Sequence, residues 1–293
     1  IFLYYPIGGW MMNKIDTTTD YEINTPPSQS ATVEMMSFLI KREVSDKMWT
    51  PNLPFIFPSY VLDNMPNFQL GLMSAVSNVS SSFAAKVDQT IAPEKELPLK
   101  TAAELLKYPG TIWMFSPQNK LTPVPSANTQ YKKARKQLVA YNRSLREGGS
   151  VFYKSPGDLA YFLQRMSKDL WLSNEKLEAH IREHSSDWVD NRSDDLFYYQ
   201  QGKIYGYYLL MKALSYDYKD IILANDIYQP WTQMVKALEE AVVLSPAVVR
   251  NGEPDSTLAP NHLSSIGYYS LKAALISQNM MCKLTLSAAQ GKQ

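Results

Sequence analysis

The sequence predicts an all-α fold, a multi-helix bundle of about eight helices with a short irregular N-terminal arm. Two observations carry that expectation. Apolar residues recur three and four apart through most of the chain, and caps and helix breakers divide the pattern into segments of helical length. A third points the same way: only residues 111–115 and 151–153 look strand-like, and both runs are too short and isolated to build a sheet.

Composition sets the outer limits. The chain has 293 residues, 45% hydrophobic and 19% charged, which is enough apolar material for a real core and far from the composition of disorder. Twenty-nine basic residues stand against 28 acidic ones, a formal charge of +1, so no global field draws in nucleic acid and none is expected as a partner. The single cysteine, Cys282, cannot close an intrachain disulfide, and beside Met280 and Met281 it reads as a small apolar packing residue.

The chain opens on an aromatic, apolar run that reaches Lys14 before its first charge. Its Tyr4, Tyr5 and Trp10 are residue types that settle at headgroup depth, so these are the membrane-proximal candidates. The run is shorter than a spanning helix, and the expectation is the exit from a bilayer, with a membrane helix upstream. The alternative is an arm packed on the domain, which Pro6 and Gly8-Gly9 also suit. Residues 1–29 are thus expected to be membrane-exit segment and spacer, and residues 30–293 one large helical domain that could divide near 124/125.

The helices follow in order. Val33, Met36, Leu39, Ile40 and Val44 share a face, closed off by Pro51 and Pro54. From Pro66, the stripe Phe68, Leu72, Val76, Val79, Phe83 and Val87 predicts a longer helix up to Pro93. Thr101 with Glu104 reads as a capping box for a short helix ending at Tyr108-Pro109-Gly110. Ser126 opens a helix through Tyr131, Ala134, Leu138, Tyr141 and Leu145 to Gly148-Gly149. Ser155-Pro156 starts a stripe of Leu159, Leu163, Met166, Leu170, Leu177 and Ile181 that could break near Ser173 into two helices, and one long helix is the expectation.

Ser193, Asp194 and Asp195 mark the next N-terminus, ahead of Leu196, Phe197, Ile204, Tyr208, Met211 and Leu214. Gln229-Pro230 precedes Trp231, Met234, Leu238 and Val242, and a last helix runs from near Pro260-Asn261 to about Ala288. Gly202 and Gly206 lie four apart on one face, a spacing that lets a second backbone come close. Gly206-Tyr207-Tyr208 and Gly267-Tyr268-Tyr269 hint at a duplication of helices.

Candidate chemistry is sparse. His180-Ile181-Arg182-Glu183-His184 has the H-x-x-E-H order of one class of zinc hydrolase, with both imidazoles on one helix face. His180, Glu183 and His184 are therefore the candidate metal ligands, although the exposed end of an amphipathic helix explains them more simply and a third protein ligand is still required. Asp187, Asp190, Asp194 and Asp195 read as capping carboxylates. No phosphate-binding glycine loop and no nucleophile elbow occurs, so no catalytic set and no cofactor is expected. Lys132, Lys133, Arg135, Lys136, Arg143 and Arg146 make one helix strongly basic, a face that suits anionic headgroups or an acidic partner, or that is simply solvated. The tyrosine pairs could line a groove or border the core.

Several stretches together resemble a family of uncharacterised proteobacterial proteins known only as a domain of unknown function. They are Tyr5-Pro6-Ile7-Gly8, the run from Leu62 to Gln69, the run from Leu105 to Gly110, Asp194-Asp195-Leu196-Phe197-Tyr198 and Asn251-Gly252-Glu253-Pro254-Asp255. The resemblance covers nearly the whole chain. It implies a single N-terminal membrane helix, an inner-membrane anchor and a periplasmic body, and it brings no catalytic residues. The expected function is a membrane-tethered helical scaffold or accessory subunit of an envelope complex, acting through a protein partner or another copy of itself. Binding of a lipid or small molecule between Tyr-rich helices is the alternative, and zinc-dependent hydrolysis a remote one.

Overall fold

The computed structural model describes residues 15–54, 64–87, 97–115, 122–184, 191–246, 249 and 261–290. Among them lie nine α-helices and no strand, the all-α bundle the periodicity predicts. They are α1 (Ala31–Lys41), α2 (Asn64–Val87), α3 (Leu97–Leu106), α4 (Ala127–Arg146), α5 (Pro156–His184), α6 (Asn191–Asp217), α7 (Lys219–Ala224), α8 (Tyr228–Val242) and α9 (His262–Gln290). A π turn, Arg42–Asp46, continues α1.

Local chemistry explains several of the boundaries. The Ser30 hydroxyl accepts from the Val33 amide and Ser126 from Thr129, each satisfying a donor that its helix leaves open. Ser155 bonds both the amide and the carboxylate of Asp158, with Pro156 in the first turn where its missing N–H is no loss. α4 ends at Gly148, whose φ of +73° is open to glycine and strained for other residues. α5 is continuous through Ser173, as its stripe predicts, and the Leu159, Leu163, Met166, Leu170, Leu177 and Ile181 side chains are all buried.

Three expectations change, and one helix is added. Thr101 does not cap a helix: it lies inside α3, behind Leu97 and Pro98. Glu104 pairs instead with Lys107 one turn on. α6 starts at Asn191, two residues before Ser193, and Asp195 accepts from Asn67 Nδ2 of α2 at 2.6 Å rather than serving only its own helix end. Cys282 is exposed on α9, while Met280 beside it is fully buried. α7 was hidden in the pattern because six residues are too few to show a period.

One core joins the helices. Its axle is α6, buried on every side from Gln200 to Leu210. α2 crosses α6 closely enough that a Cβ on Gly202 would overlap the Phe68 carbonyl, and one on Gly71 the Tyr199 carbonyl. Gly206 meets Leu72 and Ala75 just beyond, so the Gly202/Gly206 spacing does serve close packing. α5 lies antiparallel to α9, with Ser167 Oγ donating to the Ala274 carbonyl and Gly267 against Asn174. α8 packs on α9 and α6, and α1, α3 and α4 gather on the other side.

The glycine-tyrosine resemblance does not extend to environment. Tyr207 and Tyr208 are core residues, whereas Tyr268 is 62% exposed.

Candidate functional site

α4 presents two unlike faces. Tyr131, Ala134, Leu138, Tyr141 and Leu145 are buried against α1 and α3. Lys132, Lys133, Lys136, Arg143 and Arg146 are exposed on the other side, with Arg135 half-buried at its edge. The helix holds six cations and no acid in a chain of net charge +1, so the rest of the molecule sums to −5. Arg146 lies 3.7 Å from Glu147, just past the helix end. None of the other five forms an ion pair with a described carboxylate. The Nε of Arg135 is enclosed without an acceptor among the described residues.

At the N-terminal end of this helix three consecutive apolar residues face solvent: Trp113 at 50%, Met114 at 40% and Phe115 at 46% exposure. Their neck is tied down. The buried Ile112 offers its carbonyl to the Ala127 amide at 2.9 Å and to Asn52 Nδ2 at 2.9 Å, and the Met114 carbonyl accepts from the Val124 amide at 2.8 Å. From the sequence alone residues 111–115 look only strand-like. A short run of consecutive apolar residues suits a strand covered on both faces, and among the described residues there is no sheet to cover this one.

The H-x-x-E-H motif lands at the last turn of α5. The His180 and His184 rings lie 4.6 Å apart, so the two imidazoles do share a face. His180 is nearly buried with its Nε2 3.4 Å from Ser193 Oγ, while Glu183 points to solvent. Among the described residues no three His, Cys, Asp or Glu side chains gather closely enough to hold a metal. Asp187 and Asp190 lie outside the described residues, as do Tyr4, Tyr5 and Trp10.

Two polar constructions inside the body were not foreseen. In the first, the buried Glu43 of the π turn accepts from Arg42 Nε at 2.7 Å and from Gln69 Nε2 at 3.1 Å, with Lys47 at 3.6 Å. Arg42 Nη1 donates to Tyr205 at 2.6 Å and Tyr21 at 3.1 Å, and its guanidinium lies over the Tyr205 ring. Burial works against the Arg42 charge, but Glu43 and the Tyr205 phenol hold its pKa above the ordinary arginine value. Burial raises the Tyr205 phenol, so it stays protonated and donates to the Thr18 carbonyl at 2.7 Å. Gln69 also donates to the Met48 carbonyl at 2.9 Å, bracing a residue held at φ +68°.

In the second, Asp217 at the end of α6 reaches the start of α1. Its carboxylate accepts from the Ala31 amide at 2.8 Å, the Thr32 amide at 3.0 Å, and the Ser30 and Thr32 hydroxyls at 2.7 Å each. Asn142 of α4 closes the same corner through the Ser30 amide and carbonyl, both at 3.0 Å. Burial raises the Asp217 pKa, against the lowering effect of the Thr32 and Ser30 donors.

Between these two constructions runs the arm. Ile15, Tyr21 and Ile23 pack against the core, and the Thr19 carbonyl accepts from Lys212 Nζ at 3.1 Å. The tyrosines of α6 are engaged in the same way: Tyr207 donates to Asp169 at 2.7 Å and Tyr208 to Glu239 at 3.2 Å.

Residues 172–282 match the model of a family described as an uncharacterized protein conserved in bacteria, DUF2333. The match takes in the second half of α5, all of α6, α7 and α8, and most of α9. Of the stretches that carried the resemblance, those at Asp194 and Asn251 fall within it. No curated protein and no solved structure matches the chain.

Proposed function

We propose that this protein works by contact, as a membrane-anchored helical scaffold or accessory subunit of a bacterial envelope complex with its body on the periplasmic side. The observation that carries the reading is the basic face of α4, five exposed cations on a helix without a single acid. An ordinary solvated helix mixes both signs, which limits self-repulsion along the face. A face of one sign is tuned to a surface of the other.

The rest of the body supports a load-carrying role. Its polar side chains at α6 and the π turn are spent on fixing helices to one another: Gln201 bonds the Val242 and Leu244 carbonyls, and Lys203 bonds Asp169. The aromatic opening of the sequence, with Tyr4, Tyr5 and Trp10, supports tethering at a membrane.

The test is to extract the full-length protein from its native membrane in mild detergent and measure the mass and composition of what elutes. The expected result is a defined assembly with a protein partner or further copies of the chain. A monomer with no copurifying protein overturns the proposal.

A further inference from the structure

We propose that the exposed face of α4 and the Trp113-Met114-Phe115 tip at its N-terminal end together form a docking surface for an anionic lipid bilayer. This rests on the membrane tethering in the reading above and assigns the basic face of α4 to the bilayer, leaving protein contact to the rest of the body.

The geometry of the stripe is the first argument. At 100° per residue, Lys132, Lys136 and Arg143 project within an arc of about 40° along the helix, and the distance from Lys132 to Arg146 is roughly 21 Å. Arg146 and Arg135 flank the arc on one side and Lys133 on the other. All are long side chains that can extend charge outward while their stems lie flat. A row of cations on a straight rod matches a plane of phosphates better than it matches a compact acidic pocket.

The tip supplies what charge alone does not. Trp, Met and Phe side by side in solvent are a liability for a body that only floats, yet they are the side chains that enter the headgroup boundary when a cationic surface is held there. Their neck is fixed by the Ile112 and Met114 carbonyls, which hold the tip beside the first turn of the basic helix. Cations at phosphate level and an aromatic wedge beside them make a two-part anchor, each part weak by itself. The charge of −5 on the remainder of the chain disfavours any other side facing the same membrane.

The experiment is sedimentation of the 293-residue chain with vesicles. One set is phosphatidylcholine alone, and the other is phosphatidylcholine and phosphatidylglycerol in roughly three-to-one proportion. The expected result is strong preference for the anionic vesicles, lost steeply as salt rises. Lys132→Gln, Lys136→Gln and Arg143→Gln together should weaken binding to anionic vesicles on the order of a hundredfold, about fivefold for each charge, without affecting phosphatidylcholine. Trp113→Ala with Phe115→Ala should weaken binding to the anionic vesicles and leave its salt dependence intact.

Equal binding to both vesicle types overturns the proposal, as does a triple variant that binds like the parent. Binding to polyglutamate with none to vesicles also overturns it, in favour of an acidic protein partner. The contact reading would survive that last outcome, whereas a lone monomer from native membranes would not spare it. If the triple variant fails to fold, Lys132→Gln, Lys136→Gln and Arg143→Gln one at a time still decide, each expected to weaken binding about fivefold.

Discussion

Gly71 and Gly202 sit on opposite sides of one helix crossing, each pressed on a backbone carbonyl of the other helix, Tyr199 for Gly71 and Phe68 for Gly202. The pair sets how near α2 approaches α6, and α6 is the helix on which the rest of the body is assembled. Gly202→Ala should therefore destabilise the fold by about 2–4 kcal/mol, since the new methyl has only backbone to displace. Gly148→Ala is the control: open space surrounds it, and only its positive φ resists, at about 1–2 kcal/mol. Urea unfolding of the two variants checks the order. A Gly202→Ala protein as stable as the parent would mean that the two helices are not this close.

Glu43 is the only carboxylate in contact with the buried Arg42 guanidinium among the described residues. Removing it by Glu43→Ala strands that charge, and the expected loss is about 3–5 kcal/mol. Arg42→Met combined with Glu43→Leu should recover much of it, because the pair's own desolvation is removed as well. Thermal unfolding of the two variants beside the parent measures this, and equal losses in the single and double variants would refute it.

The arm is predicted to loosen in acid. Burial raises the Asp16 carboxyl, but the Thr18 hydroxyl and amide together with Lys47 and Arg42 outweigh it and bring the pKa from the ordinary 3.8 down to about 2. A depressed folded-state value means that this contribution is complete above the unfolded value and is lost as pH falls from about 4 towards 2. Carboxyl chemical shifts in a pH titration should place Asp16 near 2, and Asp16→Asn should remove the acid sensitivity of the arm's amide protection. An Asp16 titrating near 4 would contradict the Lys47 contact at 3.4 Å.

Asp217→Asn tests the corner where α6 meets α1. The amide cannot accept at all four donors, and a loss of about 1–3 kcal/mol is expected, with amide exchange rising first at Ala31 and Thr32. Uniform exchange across the molecule would show that the corner has no local role.

Neutralising Lys132, Lys136 and Arg143 should leave stability within about 0.5 kcal/mol of the parent. That outcome separates a surface kept for contact from one kept for folding. A clear drop in the unfolding midpoint would assign these cations to the fold.

Helices with one apolar stripe were legible because burial on one face writes a period into the sequence, as at Leu138 in α4 or Leu163 in α5. α6 was legible only in part. Its Gln200, Gln201 and Lys203 resemble a wet face, yet they are inside, bonded to Ser270, Val242 and Asp169 on three other elements. Such partners are remote in sequence, and no local rule names them. The same holds for Asp217, whose donors lie 185 to 187 residues away. The candidate surface divided in the same way: its cations were plain from spacing on α4, while the exposure of the Trp113 side chain became visible only in the fold.

The arm has a mechanical meaning. Tension entering at Ile15 would meet the Tyr205 bond to Thr18, the Lys212 bond to Thr19 and the Arg42 bond to Tyr21 before reaching the Ser30 corner, where Asp217 stands. Three of those four holding points belong to α6. A tug on this end is delivered to the middle of the molecule, with several fasteners sharing the strain. The body is slung from its axle.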